Sequence, residues 1–293
     1  MKILYTADLH GRYNLYKQLI ELAEKEAVNI IIIGGDILPK DCPFEDSLKI
    51  QRQFIKETLY PMFTKFKEAH PKVRIYTMMG NDDWAINMDL LKEMEKKGLI
   101  GLLHRRVHQL DEHFFIMGYS CVPLTIFSIK DWERLDDKDQ KLPKDTYLPC
   151  ISTQKGIIID IDINKWLNSH KTVKQELEEI AKLAIPKRTI YVMHAPPYGT
   201  ALDVLYDGTH AGSKAIKEFI LEYQPLLTLH GHIHESPTMS GKYMEIIGET
   251  ICINPGQHIE KLQAVIFELP DILNKIKYFC EISARKPQWL SKD

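Results

Sequence analysis

The chain has 293 residues, of which 44% are hydrophobic and 27% charged. This balance is typical of a folded globular protein and excludes a disordered, collagen-like or coiled-coil chain. The 38 Lys and Arg residues nearly cancel the 40 Asp and Glu residues, so the formal charge of −2 lacks the positive field of a dedicated nucleic-acid binder. Five scattered cysteines without a CxxC pair argue against a disulfide framework or a zinc finger and are typical of a reducing compartment.

The sequence contains no pattern typical of targeting or membrane insertion. The first carboxylate, Asp8, follows only a few apolar residues, which is too soon for a signal-peptide core. The longest apolar run, residues 30–38, is interrupted by two glycines and an aspartate, whereas a membrane span requires about 20 apolar residues. We therefore expect a cytoplasmic protein with no membrane partner.

Short β-rich runs alternate with longer helical patterns in the first hundred residues. The predicted elements are a strand at 2–6, a helix at 14–25, a strand at 29–33, a helix at 47–69 that Pro61 kinks or divides, a strand at 73–78 and a helix at 86–97. This order predicts helices that cover a largely parallel sheet.

The pattern changes after residue 100. The predicted elements are a hairpin of 106–110 with 113–119, a helix at 173–183, strands at 189–193 and 226–229 around a helix at 213–223, and short strands at 243–247, 250–253 and 264–267. Between these, eleven of the sixteen residues from 130 to 145 are charged, which predicts an exposed segment. Because no repeat or flexible linker divides the chain, we expect a single domain over 1–293 with a surface or cap insertion around 124–170.

Polar residues with metal-binding side chains follow five of the predicted strands. They are Asp8 and His10, Asp36, Asn81, His194, and His232 with His234. Ligands of open α/β sheets bind outside the carboxyl ends of the strands, so these groups should converge on one edge of the sheet. Each residue alone has an ordinary interpretation as a helix cap, a turn or a surface histidine. That interpretation does not account for all five strand ends together.

The types of side chain narrow the choice of metal. Imidazole nitrogens with carboxylate and amide oxygens, and no thiolate, are typical of Mn, Fe, Zn, Ni or Co rather than Ca or Mg. Seven ligands are too many for one such ion with an open position, and two divalent ions that share a carboxylate would use them all. Two metals about 3.5–4 Å apart can clamp a phosphoryl group and generate hydroxide at neutral pH.

The motifs D-x-H, G-D, G-N, a later His and G-H-x-H, in this order, resemble the calcineurin-like metallophosphoesterase superfamily. The resemblance implies a four-layer α/β/β/α sandwich and a binuclear metal centre. The implied ligands of the first metal are Asp8, His10, Asp36 and His234. The implied ligands of the second metal are the shared Asp36 with Asn81, His194 and His232. The segment 253–256, Ile-Asn-Pro-Gly, is similar to the smaller prokaryotic phosphodiesterase-like members.

One position departs from the family pattern. Many members have a histidine where this chain has Asp82. A carboxylate beside two cations should have a lowered pKa and donate a proton poorly at neutral pH. Asp82 would then favour esters with good leaving groups, or another histidine would supply the proton, for which His210 in a Gly/Asp-rich loop is the candidate. Loss of catalysis is a third alternative.

Two further residues are candidates for substrate binding. Trp132 lies in the charged segment and, as part of a cap over the site, could stack on a substrate ring. Ser213 opens a helix whose N-terminus could bind phosphate, although it is equally well explained as a plain helix cap.

These observations predict a phosphoesterase that hydrolyses a small phosphate ester by attack of hydroxide supplied at the metal pair. A phosphodiester is favoured by analogy with the smaller prokaryotic members. One alternative is a nuclease or nucleotide phosphatase of the same fold, which the near-neutral charge disfavours. Another is a catalytically weak metal-binding scaffold for a protein partner. An acyl hydrolase is disfavoured because no G-x-S-x-G occurs in the chain.

Overall fold

The computed structural model describes residues 1–141 and 147–280. In these residues the strands, numbered in chain order, are β1 (Lys2–Thr6), β2 (Ile30–Ile33), β3 (Arg74–Thr77), β4 (Gly101–Leu102), β5 (Val107–Gln109), β6 (Phe115–Tyr119), β7 (Val122–Pro123), β8 (Glu133–Arg134), β9 (Cys150–Thr153), β10 (Gly156–Ile159), β11 (Thr189–Met193), β12 (Leu227–Leu229), β13 (Met244–Ile247), β14 (Thr250–Ile253), β15 (Ala264–Glu268) and β16 (Lys277–Phe279).

The α-helices of the same residues are α1 (Tyr13–Lys25), α2 (Ser47–Phe54), α3 (Tyr60–Ala69), α4 (Met88–Lys96), α5 (Ile163–Asn168), α6 (Val173–Ile180), α7 (Lys214–Tyr223), α8 (Ser236–Ser240) and α9 (Ile272–Lys275). A π-helical turn over Ile55–Leu59 connects α2 to α3, and Pro61 lies in the first turn of α3. The three segments follow one another without a break, so Pro61 lies inside a continuous helical stretch and its missing N–H cannot donate to the preceding turn. The predicted kink or division at Pro61 is therefore not a break but a π-helical turn directly before the proline.

Two six-stranded mixed sheets form the centre of the molecule. The first has the order β16-β15-β1-β2-β3-β4, in which β1 to β4 are parallel, β15 is antiparallel to β1, and β16 is antiparallel to β15. The second has the order β13-β14-β12-β11-β6-β5, with a parallel centre of β14, β12, β11 and β6 between two antiparallel edge strands. The outer strand β5 pairs with β6 as the predicted hairpin.

Apolar side chains alternate between two cores along the strands. Ile3 and Tyr5 of β1 pack in one buried cluster with Ile190 and Val192 of β11, so this cluster lies between the two sheets. Leu4 of β1 belongs instead to a cluster with residues of α1 and α4, and Tyr191 contacts Phe219 of α7 with ring centroids 5.1 Å apart. Period-two alternation therefore gives each sheet one face for the other sheet and one for helices. The predicted mixed α/β sandwich fold is confirmed.

The charged segment is only partly exposed, and the expectation that it buries little is wrong for residues 130–136. Lys130 and Glu133 are 1% and 0% exposed and form an ion pair of 2.7 Å. Asp131 is also buried and accepts hydrogen bonds from the backbone of Ala85 and Ser152. Residues 137–139 and 141 are exposed, as predicted, whereas the last charges of the segment, Lys144 and Asp145, lie outside the described residues.

Candidate metal centre

The polar residues that follow the strands come from both sheets. They follow β1, β2 and β3 of the first and β11 and β12 of the second, and not the strands of a single sheet as predicted. These residues occupy strained loops at one edge of the molecule. Four of them have backbone φ angles in the left-handed region, which side chains other than glycine rarely adopt: Asp8 (59°), His10 (45°), Asp36 (51°) and His232 (65°). Backbone strain of this kind persists where surrounding contacts determine the conformation, and it is concentrated at functional sites. These loops turn sharply to present their side chains towards a common point.

Four of these side chains form a compact cluster. One ligand atom from each of Asp8, His10, Asp36 and His234 lies within 4.8 Å of the others. The Nε2 atoms of the two imidazoles are 3.1 Å apart, and His234 Nε2 is 3.4 Å from Asp8 Oδ1. Two imidazoles and two carboxylates that converge in this way could hold a divalent transition-metal ion.

A second group of side chains extends this cluster past Asp36. His194 Nε2 lies 3.3 Å from Asp36 Oδ2, and its Nδ1 is 2.9 Å from the carbonyl oxygen of Gly34. The ring of His232 is next to that of His194, with centroids 5.4 Å apart, and its backbone N–H donates to Asp8. Both carboxylates contact histidines of the two groups: Asp36 lies near His10 and His194, and Asp8 near His234 and, at 3.9 Å, His194.

Three buried side-chain atoms at the site make no hydrogen bond within the described part of the chain. They are His10 Nδ1, Asn81 Oδ1 and His194 Nε2. Leaving buried polar atoms unpaired costs about 1–3 kcal/mol each, so such atoms call for an explanation. Asn81 Oδ1 and His194 Nε2 are the types of atom that coordinate a metal, and the residues present therefore fit a metal centre.

The carboxylates and imidazoles shift each other's protonation strongly. Burial favours the neutral form of Asp8, but His234 and His194 lower its pKa to about 2. Burial also opposes the charged form of His194, yet Asp36 and Asp8 raise the pKa of His194 to about 10. Burial lowers the pKa of His232 to about 3. The protein alone thus keeps a positive charge on His194 between its carboxylates, where a cation would also be stabilised.

Glycines allow the loops to approach one another closely at the site. A Cβ atom added to Gly80 would lie 2.3 Å from Asp36 Oδ1 and 2.5 Å from His194 Nε2, and one at Gly231 would lie 2.6 Å from Asp8 Oδ2. These distances are too short for any side chain. The glycines before Asn81 and His232 are therefore required by the packing of the candidate ligands.

Two residues at the site were not predicted from the sequence. Asp83 is fully buried and accepts backbone hydrogen bonds from Ile37, Leu38 and Gly80, which ties the Asp36 and Asn81 loops together. Lys40 Nζ lies 3.1 Å from Asp82 Oδ2. The repeated carboxylates at 82 and 83 were a signal for Asp83, whereas nothing in the sequence distinguishes Lys40 from other lysines.

Asp82 lies at the site, but the protein shifts its pKa in the direction opposite to the one predicted. Its Oδ2 is 3.8 Å from His10 Nδ1, and its backbone N–H donates to Asp36 Oδ1 at 2.8 Å. Burial and the charge of Asp36 raise the pKa of Asp82, while Lys40 opposes this shift. The lowered pKa expected from the sequence thus depends on bound cations and not on the protein's own groups.

The structure gives His210 a carboxylate partner. His210 Nδ1 lies 2.7 Å from Oδ1 of Asp203, a fully buried residue that also accepts backbone hydrogen bonds from Gly199, Thr200 and Gly212. A short hairpin carries both residues, since Val204 and His210 form an antiparallel bridge. Val204 N donates to Ser236 Oγ, so the hairpin lies against the segment that bears His234.

The two residues predicted to bind substrate are buried and make hydrogen bonds within the protein. Trp132 is 8% exposed, its Nε1 donates to the Asp83 carbonyl at 3.0 Å, and it does not present a ring on an exposed cap as predicted. Ser213 is fully buried and accepts from Ile216 N at 2.9 Å as a plain helix cap. The N-terminus of α7 is also covered by the Asp136 carboxylate, which accepts from Lys214 N, and these contacts favour the helix-cap alternative for Ser213 over the phosphate contact.

The fold and the cluster together define a metal-binding α/β protein. A model of the calcineurin-like phosphoesterase family matches residues 1–236. The chain therefore belongs to the calcineurin-like phosphoesterase family, as the sequence resemblance predicted, and is a metal-dependent phosphoric ester hydrolase.

Solved structures with a similar fold cover nearly the whole chain. The protein TT1561 of Thermus thermophilus has a TM-score of 0.59 at 16% identity, with 95% of this chain and 97% of that chain covered. A dimetal phosphatase from Danio rerio has a TM-score of 0.51 at 11% identity, with 90% and 92% covered. At these identities the likeness shows the fold alone. A search of curated proteins finds no match to this chain.

Proposed function

We propose that this chain is a phosphodiesterase that uses two divalent transition-metal ions to hydrolyse a small phosphate ester. The observation that carries the proposal is the buried cluster of carboxylates and imidazoles with unpaired ligand atoms. One ion would be held by Asp8, His10, Asp36 and His234. The other would be held by Asp36, Asn81, His194 and His232.

The position of Asp36 supports two ions rather than one. Its Oδ2 lies 3.9 Å from His10 Nε2 on one side and 3.3 Å from His194 Nε2 on the other. When bound, two divalent cations would activate water as a nucleophile and offset negative charge on the phosphoryl oxygens. Asp83 would keep the loops of Asp36 and Asn81 in register through its three backbone hydrogen bonds.

His210 is the proposed proton donor to the departing alcohol. Asp203 accepts from its Nδ1, which leaves Nε2 to carry the transferred proton, as in catalytic pairs of histidine and carboxylate. The His210 side chain is 38% exposed, so a substrate can reach it from solvent. In this account Asp82 donates no proton.

The substrate class is proposed from charge and composition. A net charge of −2 disfavours long nucleic acids, and a small phosphodiester remains the best candidate. Among the described residues no helix combines the length and the apolar character needed to cross a bilayer. The scattered cysteines agree with a cytoplasmic location.

Hydrolysis of bis(p-nitrophenyl) phosphate by the Mn²⁺-loaded protein tests the proposal. We expect Asp36→Asn to abolish hydrolysis and to lower the amount of bound manganese, because the shared carboxylate is lost. The matched control is Asp111→Asn, a turn residue at the amino end of β6, which should keep full activity. Full activity of Asp36→Asn would refute the assignment. Bound metal without turnover of any phosphate ester would favour the scaffold alternative instead.

A further inference from the structure

Lys40 lies beside the candidate metal centre without belonging to its ligand set. Its Nζ is 3.1 Å from Asp82 Oδ2, and the same carboxylate oxygen is 3.8 Å from Nδ1 of His10. One carboxylate thus separates the ammonium group from a proposed metal ligand. Lys40 is on the loop after β2, four residues beyond Asp36.

Asp82 is a fixed anchor for this lysine. Its backbone N–H donates to Asp36 Oδ1 at 2.8 Å, and its carbonyl accepts from Gln51 Nε2 at 2.8 Å. Its second carboxylate oxygen accepts from Asn81 Nδ2 at 3.2 Å. Because both the backbone and the side chain of Asp82 are held, the ammonium group has a defined position.

The pair lies where the cluster meets solvent. The side chains of Lys40 and Asp82 are 33% and 19% exposed, whereas those of Asp8 and His10 are fully buried. Burial lowers the pKa of Lys40, but the charges of Asp82, Asp36 and Asp8 outweigh it and raise the pKa overall. The ammonium group therefore stays protonated and interacts electrostatically with the carboxylates of the cluster.

We propose that Lys40 is a substrate-contacting residue, whose ammonium group donates a hydrogen bond to a non-bridging oxygen of the phosphate ester, and that Asp82 is its positioning residue. An ammonium group has three N–H donors, and Asp82 occupies one of them. A hydrogen bond between a charged donor and a phosphoryl oxygen is roughly twice as strong as a neutral one. The inference rests on the proposed function, in that it assigns the substrate's phosphoryl group to this side of the site.

Binding of inorganic phosphate to the Mn²⁺-loaded protein, measured by calorimetry, tests the proposal directly. We expect Lys40→Met to weaken phosphate binding by about 10- to 100-fold, with bound manganese unchanged. Lys40→Arg should recover part of the affinity because it restores a cation. The matched control is Lys187→Met. Lys187 forms an ion pair of 3.0 Å with Glu249 next to the amino end of β11, away from the site. This control should bind phosphate like the unmodified protein.

A double-variant cycle separates positioning from a purely structural role. Asp82→Asn should weaken phosphate binding in the unmodified background and have no further effect in the Lys40→Met background, because the lysine is then absent. Equal phosphate binding by Lys40→Met and the unmodified protein would overturn the proposal, as would the same loss in Lys187→Met. Absence of phosphate binding by the unmodified Mn²⁺-loaded protein would overturn it as well.

The experiments distinguish failure of the Lys40 assignment from failure of the phosphodiesterase proposal. If the unmodified protein hydrolyses no phosphate ester while its binding of phosphate still depends on Lys40, the assignment of Lys40 stands and the proposed activity falls. If hydrolysis occurs, Lys40→Met should raise KM for bis(p-nitrophenyl) phosphate more than it lowers kcat. A larger change in KM than in kcat indicates a contact that is made in the ground state as well as in the transition state.

Discussion

Individual residues at the candidate centre adopt conformations that are costly in isolation. Asp8, His10, Asp36 and His232 all have positive φ angles, and a non-glycine residue in this region loses about 1–2 kcal/mol. Neighbouring contacts offset this cost, for example the hydrogen bond from His10 N to the carbonyl of Asp36 at 2.8 Å. The ligand loops therefore support one another, and a change in one should displace the others.

Gly80 tests this mutual dependence. We expect Gly80→Ala to weaken Mn²⁺ binding by about 10-fold or more, because the added methyl group would displace Asp36 and His194. The control is Gly98→Ala, whose Cβ has open space around it but whose φ of 71° is strained, so it should cost about 1 kcal/mol of stability and leave metal affinity unchanged. Equal metal affinity in both variants would show that the loops adjust independently.

The proton transfer proposed for His210 should depend on the leaving group of the ester. If His210 protonates the departing alcohol, His210→Asn should slow a phenyl phosphodiester, with its poor leaving group, much more than the p-nitrophenyl ester. An effect of about 10²-fold on the phenyl ester is expected, and Asp203→Asn should show the same selectivity to a smaller degree. Rates for the two esters measured side by side decide the matter. Equal slowing of both esters would show that His210 does not protonate the departing alcohol.

A buried histidine away from the ligands makes stability depend on pH. Burial, and then the charges of Arg105 and Arg134, lower the pKa of His104 to about 3. The unfolded chain, with a pKa near 6.5, binds the proton more readily, so stability is present above pH 6.5 and is lost as the pH falls towards 3.

The measurement is urea unfolding of the metal-free protein at pH 7 and pH 5. We expect His104 to account for about 1–2 kcal/mol of the loss between these values. His104→Gln, which keeps an acceptor for Ser120 N, should lose correspondingly less on acidification. An identical loss in both proteins would show that His104 does not contribute to the pH dependence.

Among the elements, the charged segment shows what composition cannot predict. A count of charges does not reveal which of them are paired, and Lys130 and Glu133 form a buried pair in which Thr125 supplies further hydrogen bonds. Similarly, Asp136 caps α7 from 78 residues away in sequence. The segment therefore belongs partly to the core because its charges have specific partners.

Breaking this pair should be costly. Lys130→Met is expected to reduce the free energy of unfolding by about 3–5 kcal/mol, because it leaves the Glu133 carboxylate buried without its cation. The double variant Lys130→Met/Glu133→Leu should lose less, since no charge is then left unpaired. Lys17→Met, which removes an exposed pair with Glu21, is the control and should show no measurable loss. A loss in Lys130→Met no larger than in the control would contradict the account, and urea unfolding measures all three.

The strands that could be predicted from the sequence are those with a clear apolar run. Strands β1, β11 and β14 have the predicted boundaries, because their continuous apolar runs are typical of strands buried on both faces. Two-residue strands such as β4, β7 and β8 were not predicted, since so few residues have no period. Their pairing depends on tertiary contacts that local sequence does not encode.

At the scale of the whole molecule, topology explains why the candidate site was largely predictable. Parallel strands of one sheet place their carboxyl ends on one edge, so Asp8 could be expected to meet Asp36, and His194 to meet His232. The meeting of these two pairs depends also on how the two sheets pack, because β1 and β11 belong to different sheets. The positions of Lys40 and Asp203 could not be predicted, because they depend on loop conformations and on partners distant in sequence. The candidate metal ligands were therefore visible in the sequence, and Lys40 and Asp203, to which substrate contact and positioning of a proton donor are assigned by proposal, were not.

Anomalous diffraction from crystals grown with Mn²⁺ shows whether the candidate ligands hold a pair of metal ions. We expect two manganese peaks about 3.5–4 Å apart with Asp36 between them, one beside His10 and His234 and the other beside Asn81 and His194. Manganese bound elsewhere, with no peak within coordination distance of Asp36, would contradict this expectation.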